Sequence, residues 1–465
     1  MKGDIALSDR PNIIFLIADD HRGDAIHAFG NPEVQTPVLD GLAERGVSFR
    51  RAYTMGGMSP AVCVPSRAAL LTGTNPLRAS IHPVPGDGPG SLTINPALAT
   101  LPEVLRAAGY HTYGVGKWHN DKASFTRGFA GGSRLFFGGM SDQWRVPTFD
   151  YDPTGQYPVE ARQIREQFSS ALFADAGIQF LRDFQGDAPY FLYVAFTAPH
   201  DPRTAPPEFA ALYDPQRITL PPNFLPEHPF DNGEMRVRDE LLAPFPRTPA
   251  VIRQHIADYY AMISSLDAQI GRILAALAER GDAGHTIVVY TADHGLAVGQ
   301  HGLLGKQNLY EHSIRVPRIM AGPGLPAGNT VRALTHHADG FPTLCALAGI
   351  PVPSTVEGRS LLPLLTNNDA PWRDSVFAMY KDVQRAVSDG DWKLIRYYRS
   401  GDPAVGSNRT QLFHLKDDPW EMHDLSSDPT QKEHLRRLAE EMAAWQRRTG
   451  DFLALRSSDP SPSVS

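Results

Sequence analysis

The chain has 465 residues, 42% hydrophobic and 20% charged, a balance that excludes a disordered or fibrous protein and a length that favours one large domain with a smaller one, or two domains. A formal net charge of −7 with no long basic run excludes the electrostatic footprint of a nucleic-acid binder. The uninterrupted apolar runs, such as Ile13–Ala18 and Ile287–Tyr290, fall far short of the ~20 residues of a membrane helix, so neither nucleic acid nor a membrane is expected as a partner.

In chain order, the first ten residues, MKGDIALSDR, lack the apolar stretch of a secretory signal. The compartment stays open: cytoplasmic if the sequence is complete, periplasmic or secreted if a signal has been removed. Four later segments share one design, a short continuous apolar run that ends in polar residues: NIIFLIADDH, HTYGVGKWH, YFLYVAFTAPH and HTIVVYTADHG. Such runs predict strands buried on both faces of a parallel sheet. Helical patterns alternate with them, the longest carrying Ile252, Ile256, Tyr259, Ile263, Leu266, Ile270, Ile273 and Leu277 on one face. The expected fold class is therefore α/β, a large, mostly parallel central sheet flanked by helices.

Two stretches rich in proline and glycine, Ile81–Pro96 and Asp201–Pro249, predict long loops. From about Pro371 the texture changes to strand-like pieces, WKLIRYY and QLFHL, and a closing helix, EHLRRLAEEMAAWQRR, which predicts a small C-terminal α+β subdomain. The expected organisation is a tail over 1–10, a catalytic domain over 11–370, the subdomain over 371–455 and a tail over 456–465. Cys345, within DGFPTLCALAGI, is expected in the core, which leaves Cys63 alone and the chain without a disulfide framework.

The strand ends hold the chemistry, because ligands of such sheets bind at the carboxyl ends of the strands. Asp19 and Asp20 repel each other, and a buried strand that ends in both needs a cation to compensate. A lone Asp-Asp pair is more often a helix cap or a solvated loop, but a second apolar strand ends in Asp293 and His294, which favours a metal. Carboxylate oxygens suit calcium or magnesium, and His294 leaves room for manganese or zinc. Arg67, Lys117, His119, His200 and Lys306 supply the basic half. Each alone is commonly a surface group; together, around a carboxylate-bound metal, they suit an anionic tetrahedral group. Cys63 opens a helical stretch beside Arg67, which predicts a thiol of depressed pKa. The position six residues on is Ala69, so the arginine of a cysteine phosphatase is missing.

CVPSRAALLTG resembles the signature of the type I, formylglycine-dependent sulfatases of the alkaline phosphatase superfamily, with GYHTYGVGKWH, APHDP, YTADHGLAVGQHGLLGK and EGRSLLPLL following in order. The resemblance covers roughly residues 11 to 425. It implies that a formylglycine-generating enzyme oxidises Cys63 during maturation, and that Asp19, Asp20, Asp293 and His294 hold one calcium ion together with the formylglycine, with magnesium or manganese as alternatives. It further implies that Arg67 steadies the formylglycine, that Lys117 and Lys306 grip sulfate oxygens, that His119 faces the formylglycine, and that His200 or Lys306 protonates the leaving oxygen. On that resemblance one hydroxyl of the aldehyde hydrate attacks sulfur, and loss of the proton from the other, to His119, expels sulfate.

The resemblance implies a small sulfated substrate, a carbohydrate or aryl sulfate ester. Two rivals stand beside it: a phosphonate monoester or phosphodiester hydrolase of the same superfamily, and an inactive sulfated-glycan binding protein. Phe136, Phe137, Trp144, Phe149 and Tyr151 could stack on the substrate, or form the small core of their own loop.

Overall fold

The four apolar runs become four neighbouring strands. In the computed structural model, which describes residues 9–81, 92–367, 370–401 and 403–453, they are β1 (Asn12–Ala18), β3 (His111–Lys117), β5 (Tyr190–Ala195) and β6 (Thr286–Ala292). With β2 (Gly46–Phe49), β4 (Gly131–Phe136), β7 (Arg318–Ala321) and β8 (Asn329–Val331) they form an eight-stranded sheet in the order β8-β2-β7-β6-β1-β5-β3-β4. From β6 to β4 every pairing is parallel; only β7 runs antiparallel to its neighbours. The expected α/β fold is thus borne out. Every residue of β1, β5 and β6 is buried, which is why these segments read as continuous apolar runs without alternation.

Parallel pairing has one consequence for function: the polar tails of all four strands emerge at the same edge. The backbone ladder continues past the strand ends, Asp19 N donating to Ala198 O at 3.1 Å and Asp293 N to Ala18 O at 3.2 Å, and so locks three of the tails together.

Helices α1 (Pro37–Glu44), α2 (Cys63–Thr72), α3 (Ser169–Asp183), α4 (Pro249–Arg280) and α5 (Gly340–Leu347) flank the sheet. Both α1 and α3 pack on α4, and α2 packs on α5. All eight residues named above for the apolar face of α4 are buried. Thr248 caps its start by accepting Val251 N, and Gly281 ends it at φ +85. One window of α4 is long and apolar enough to cross a membrane, but 61% of it is buried inside the protein. Cys345 lies in the main core and is a free thiol.

α4 also carries Asp267, 1% exposed, whose carboxylate accepts Val38 N at 3.0 Å and Leu39 N at 2.8 Å and so caps the first turn of α1. Burial outweighs both bonds and pushes this carboxyl up to about 6 from an ordinary 3.8. A carboxyl whose folded pKa lies above its unfolded one contributes stability that is present below the unfolded value and lost as pH rises through the folded one. Between pH 4 and 7.5 the unfolding free energy of the native chain, measured against Asp267→Asn in urea titrations, is therefore expected to fall by about 3 kcal/mol. A difference that is flat or rises over that range would contradict the assignment.

A second sheet of five strands contains β9 (Val376–Tyr380), β10 (Gln384–Ser388), β11 (Trp392–Tyr397) and β12 (Arg409–His414), extended by Gly56–Gly57 from just before α2. α6 (Lys432–Thr449) packs on β10 and β11. Behind α6 the chain is tied back by Arg385, which grips Asp451 with Nε at 2.5 Å and Nη2 at 2.9 Å. The segments WKLIRYY, QLFHL and the closing helix are found as β11, β12 and α6. The stretch 201–249 holds only three short helical turns, Pro207–Ala210, Pro215–Arg217 and Arg238–Leu242. Most of the loop expected over 81–96, the first eight residues and the final tail lie outside the described residues.

Candidate active site

Cys63 is the first residue of α2, a helix buried along its whole length. Gly73 closes it at φ +66, where a side chain would strike Val356 and Phe341 at 2.8 and 3.1 Å. The residues after Cys63 anchor the neighbouring strand end: Ser66 Oγ donates to Asp293 O at 2.6 Å, and Arg67 Nε to Asp293 Oδ2 at 2.7 Å. Arg67 Nη1 donates to Lys117 O at 2.7 Å, so one guanidinium ties α2 to the tips of β6 and β3.

Ligand atoms of Asp19, Asp20, Cys63 and Asp293 all lie within 4.8 Å of one another, and all four residues are buried. Opposite ligands of one calcium ion at ~2.4 Å are about 4.8 Å apart, so the donor set fits a hard divalent cation. Asp20 is held at φ +69, its N donating to Asp293 Oδ1 at 3.2 Å and its carbonyl accepting Tyr259 OH at 2.7 Å. Cys63 Sγ donates to Asp19 Oδ1 at 3.3 Å and receives Lys306 Nζ at 3.1 Å. His294 stands outside the group of four; its Nδ1 faces Gly295 O at 3.1 Å, so Nδ1 carries the proton and Nε2 keeps its lone pair.

Three cations fence the carboxylates. Lys306 Nζ lies 2.7 Å from both oxygens of Asp20, Lys117 Nζ bonds Asp19 Oδ2, and Arg67 Nη2 is 3.9 Å from Asp19 Oδ1. That Nη2 is buried and makes no hydrogen bond among the described residues. Three carboxylates and three cations cancel, so a divalent ion leaves a positive surplus for an anionic ligand. Burial would raise Asp19, but Lys117, His200, Arg67 and Lys306 together hold it well below the usual carboxylate range. For Asp20, burial prevails over Lys306 and His200 and pushes it up to about 6.

The thiol departs from expectation. Burial first, and then the charge of Asp293, push Cys63 well above an ordinary thiol, and Lys306 does not offset them. The depressed pKa expected from a helix N-terminus beside arginine is therefore not found, because three carboxylates from distant strands crowd the sulfur. As cysteine, this residue is a neutral thiol and a poor nucleophile.

His200 is 6% exposed, with Nδ1 2.8 Å from Asp201 O and Nε2 3.7 Å from Asp20 Oδ2. A carbonyl only accepts, so Nδ1 carries a proton, and Nε2 is the nitrogen turned toward Asp20. His119, at φ +52, is half-buried; desolvation first, and then the nearby charges of Lys117, Arg67 and Lys306, hold its pKa well below the ordinary value and favour the neutral ring, and its Nδ1 has no hydrogen bond among the described residues. Of the aromatic residues, Phe136 is in the core and Phe137, Phe149 and Tyr151 pack against it, as the loop-core reading has it. Trp144 remains 38% exposed, next to Gln143, whose Nε2 donates to His200 O at 2.8 Å. Sequence reasoning did not single out Asp201, Gln143, Arg238 or Gln307, all of which touch this site or its supports.

Comparison with known proteins agrees with this geometry. The family model described as Sulfatase matches residues 11–350, and that described as N-sulphoglucosamine sulphohydrolase, C-terminal, matches residues 299–448. An N-acetylglucosamine-6-O-sulfatase of Bacteroides thetaiotaomicron is 27% identical over 92% of this chain and 82% of its own. A protein solved with its substrate D-glucosamine-2-N,6-O-disulfate superposes with a TM-score of 0.80 at 24% identity, over 96% of this chain and 100% of that one. A phosphonate monoester hydrolase from Silicibacter pomeroyi superposes with a TM-score of 0.74 at 25% identity, over 96% of each chain.

Proposed function

The chain belongs to the sulfatase family and is a sulfate-ester hydrolase, and from that premise we propose that its substrate is a sulfated carbohydrate, cleaved at a Cys63 matured to formylglycine. The observation that carries this reading is the buried group of Asp19, Asp20, Cys63 and Asp293 inside a fence of Arg67, Lys117 and Lys306. A neutral, crowded thiol has no use as a nucleophile there, whereas a precursor needs only its position. When present, formylglycine supplies a hydrated aldehyde as nucleophile, and a divalent cation held by Asp19, Asp20, Asp293 and His294 neutralises charge on the sulfate group.

The chain's own residues do the rest. Lys117 and Lys306, already turned toward the centre, bind sulfate oxygens and stabilise the charge that grows on them. Arg67 keeps Asp293 in place and presents the unpartnered Nη2 to the same centre. His200 holds its ring by Nδ1 and offers Nε2 to the leaving oxygen, the position of a general acid. His119, kept neutral, accepts a proton on the opposite duty. The sugar assignment is supported by the similarity to a glucosamine-6-O-sulfatase over most of the chain and by the exposed Trp144 beside the His200 support.

The second reading, a phosphonate monoester hydrolase, is favoured by the structural similarity to such an enzyme. Matched aryl substrates separate the two: kcat/KM on 4-nitrophenyl sulfate is expected to exceed that on 4-nitrophenyl phenylphosphonate by at least about tenfold. The reverse order would overturn the sulfate assignment.

A further inference from the structure

The 3-10 turn Arg238–Leu242 lies in the long irregular stretch between β5 and α4, yet it presents three charged side chains in a row to the active-site supports. Arg238 Nη1 and Nη2 grip Asp201 Oδ2 and Oδ1 at 2.5 and 3.0 Å, and Nη2 also reaches Asp239 Oδ1 at 2.6 Å. Asp201 Oδ1 is 3.3 Å from His200 Nδ1. Asp239 Oδ2 receives Gln307 Nε2 at 2.8 Å, and the same amide donates to Pro60 O at 3.0 Å, three residues before Cys63. Gln307 Oε1 accepts the backbone N–H of Lys306 at 3.0 Å. The third side chain, Glu240, accepts Leu304 N and Gly305 N at 2.9 and 2.8 Å and so holds the loop that precedes Lys306.

Resting on the sulfatase reading, we propose that Arg238 is a positioning residue for leaving-group protonation, clamping Asp201 behind His200. Its guanidinium is shared by two carboxylates, and both are buried while Arg238 itself is 43% exposed at its side chain. Three of its five N–H donors are taken by these two carboxylates, so it acts through its neighbours. The clamp fixes the Asp201 carboxylate, and that carboxylate together with the Asp201 carbonyl fixes the His200 ring. Without it, the proton on Nε2 is no longer held on the line of the departing oxygen. The backbone of Lys306 keeps its support, because Gln307 holds it with bonds to Pro60 O and Asp239 Oδ2 that do not involve Arg238.

The test turns on the leaving group. A 4-nitrophenolate departs without a proton, whereas the alkoxide of a sugar requires one. Arg238→Met is expected to lower kcat on a sulfated hexosamine by about 30-fold or more while 4-nitrophenyl sulfate falls less than about threefold; Arg238→Lys, which keeps the charge but not the fork, is expected between. An equal fall on both substrates, or no fall on the sugar, would overturn the proposal. A readout independent of turnover is the His200 Nδ1–H resonance in the full-length protein, expected to be protected from solvent exchange in the native chain and lost in Arg238→Met. Its persistence in the variant also overturns the proposal. Loss of the resonance in a chain that hydrolyses no sulfate ester would instead overturn the sulfatase reading and leave the clamp standing.

Discussion

Cys63→Ala is expected to lower kcat on every sulfate ester by at least about 10⁴-fold while the protein stays folded. The side chain is 1% exposed at the start of α2, and alanine removes only the sulfur. The lost burial and the lost weak S–H contacts to Asp19 and Asp20 at 3.3 and 3.7 Å together cost about 1 kcal/mol. Activity and stability should therefore separate cleanly, with full loss of the first and a shift of about a kilocalorie in the second. Retained turnover would remove Cys63 from the chemistry altogether. The companion measurement is a mass spectrum of the peptide that spans Cys63 from a host that installs formylglycine. Aldehyde at this position, together with the dead alanine variant, ties the nucleophile to the modified residue, and unmodified cysteine in an active preparation would break that tie.

What could be read from the sequence depended on how local each signal was. β1, β5 and β6 were legible because both faces of each are covered, so that apolar residues run on until the site residues begin, and β3, half-buried at His111 and Tyr113, was legible from the polar end at Lys117. The four residues of β7 and the four of β2 carry no such run, and their antiparallel pairing follows from partners far away in the chain. The hairpin of β9 and β10 turns at Lys381, at φ +44, where no glycine or asparagine announces it. Gly56–Gly57 joins that sheet through tertiary approach alone: a side chain on Gly56 would meet Met379 O at 2.1 Å. The site divides the same way. Asp19, Asp293, Lys117 and His200 stand at strand ends and could be placed by eye. Arg238 and Gln307 could not, since they sit in stretches without periodicity and matter only through what they hold. The pKa of Cys63 was misread for a related reason. Its local surroundings, a helix start and an arginine, argue one way, and the burial that prevails, with carboxylates from two other parts of the chain, is set by tertiary packing.

Arg67→Ala is expected to reduce both activity and stability, and the second effect should depend on the metal. Arg67 is wholly buried, and its loss strips Asp293 of the 2.7 Å partner and Lys117 O of its 2.7 Å donor at once. Removing one member of a buried ion pair costs about 3–5 kcal/mol, chiefly from the charge left behind. The burial of Arg67 alone would lower its pKa, yet Asp293, Tyr193 and Asp19 raise it, which shows how strongly the site favours a cation at this point. A divalent ion held by Asp19, Asp20 and Asp293 would compensate the same carboxylate. The loss of unfolding free energy in Arg67→Ala should thus be near its full value in chelator and smaller when calcium is restored, because an Asp293 carboxylate without its arginine would bind the ion more tightly and so gain more from it than the native chain does. Arg67→Lys should recover part of the stability, since it returns a charge, but not the activity, because an ammonium cannot reach Asp293, the Lys117 carbonyl and the centre together. For kcat the expected loss in both variants is about 10²- to 10³-fold. A stability loss identical with and without calcium would mean that Asp293 is not a ligand of the ion, and that the carboxylate group is balanced by the three cations alone.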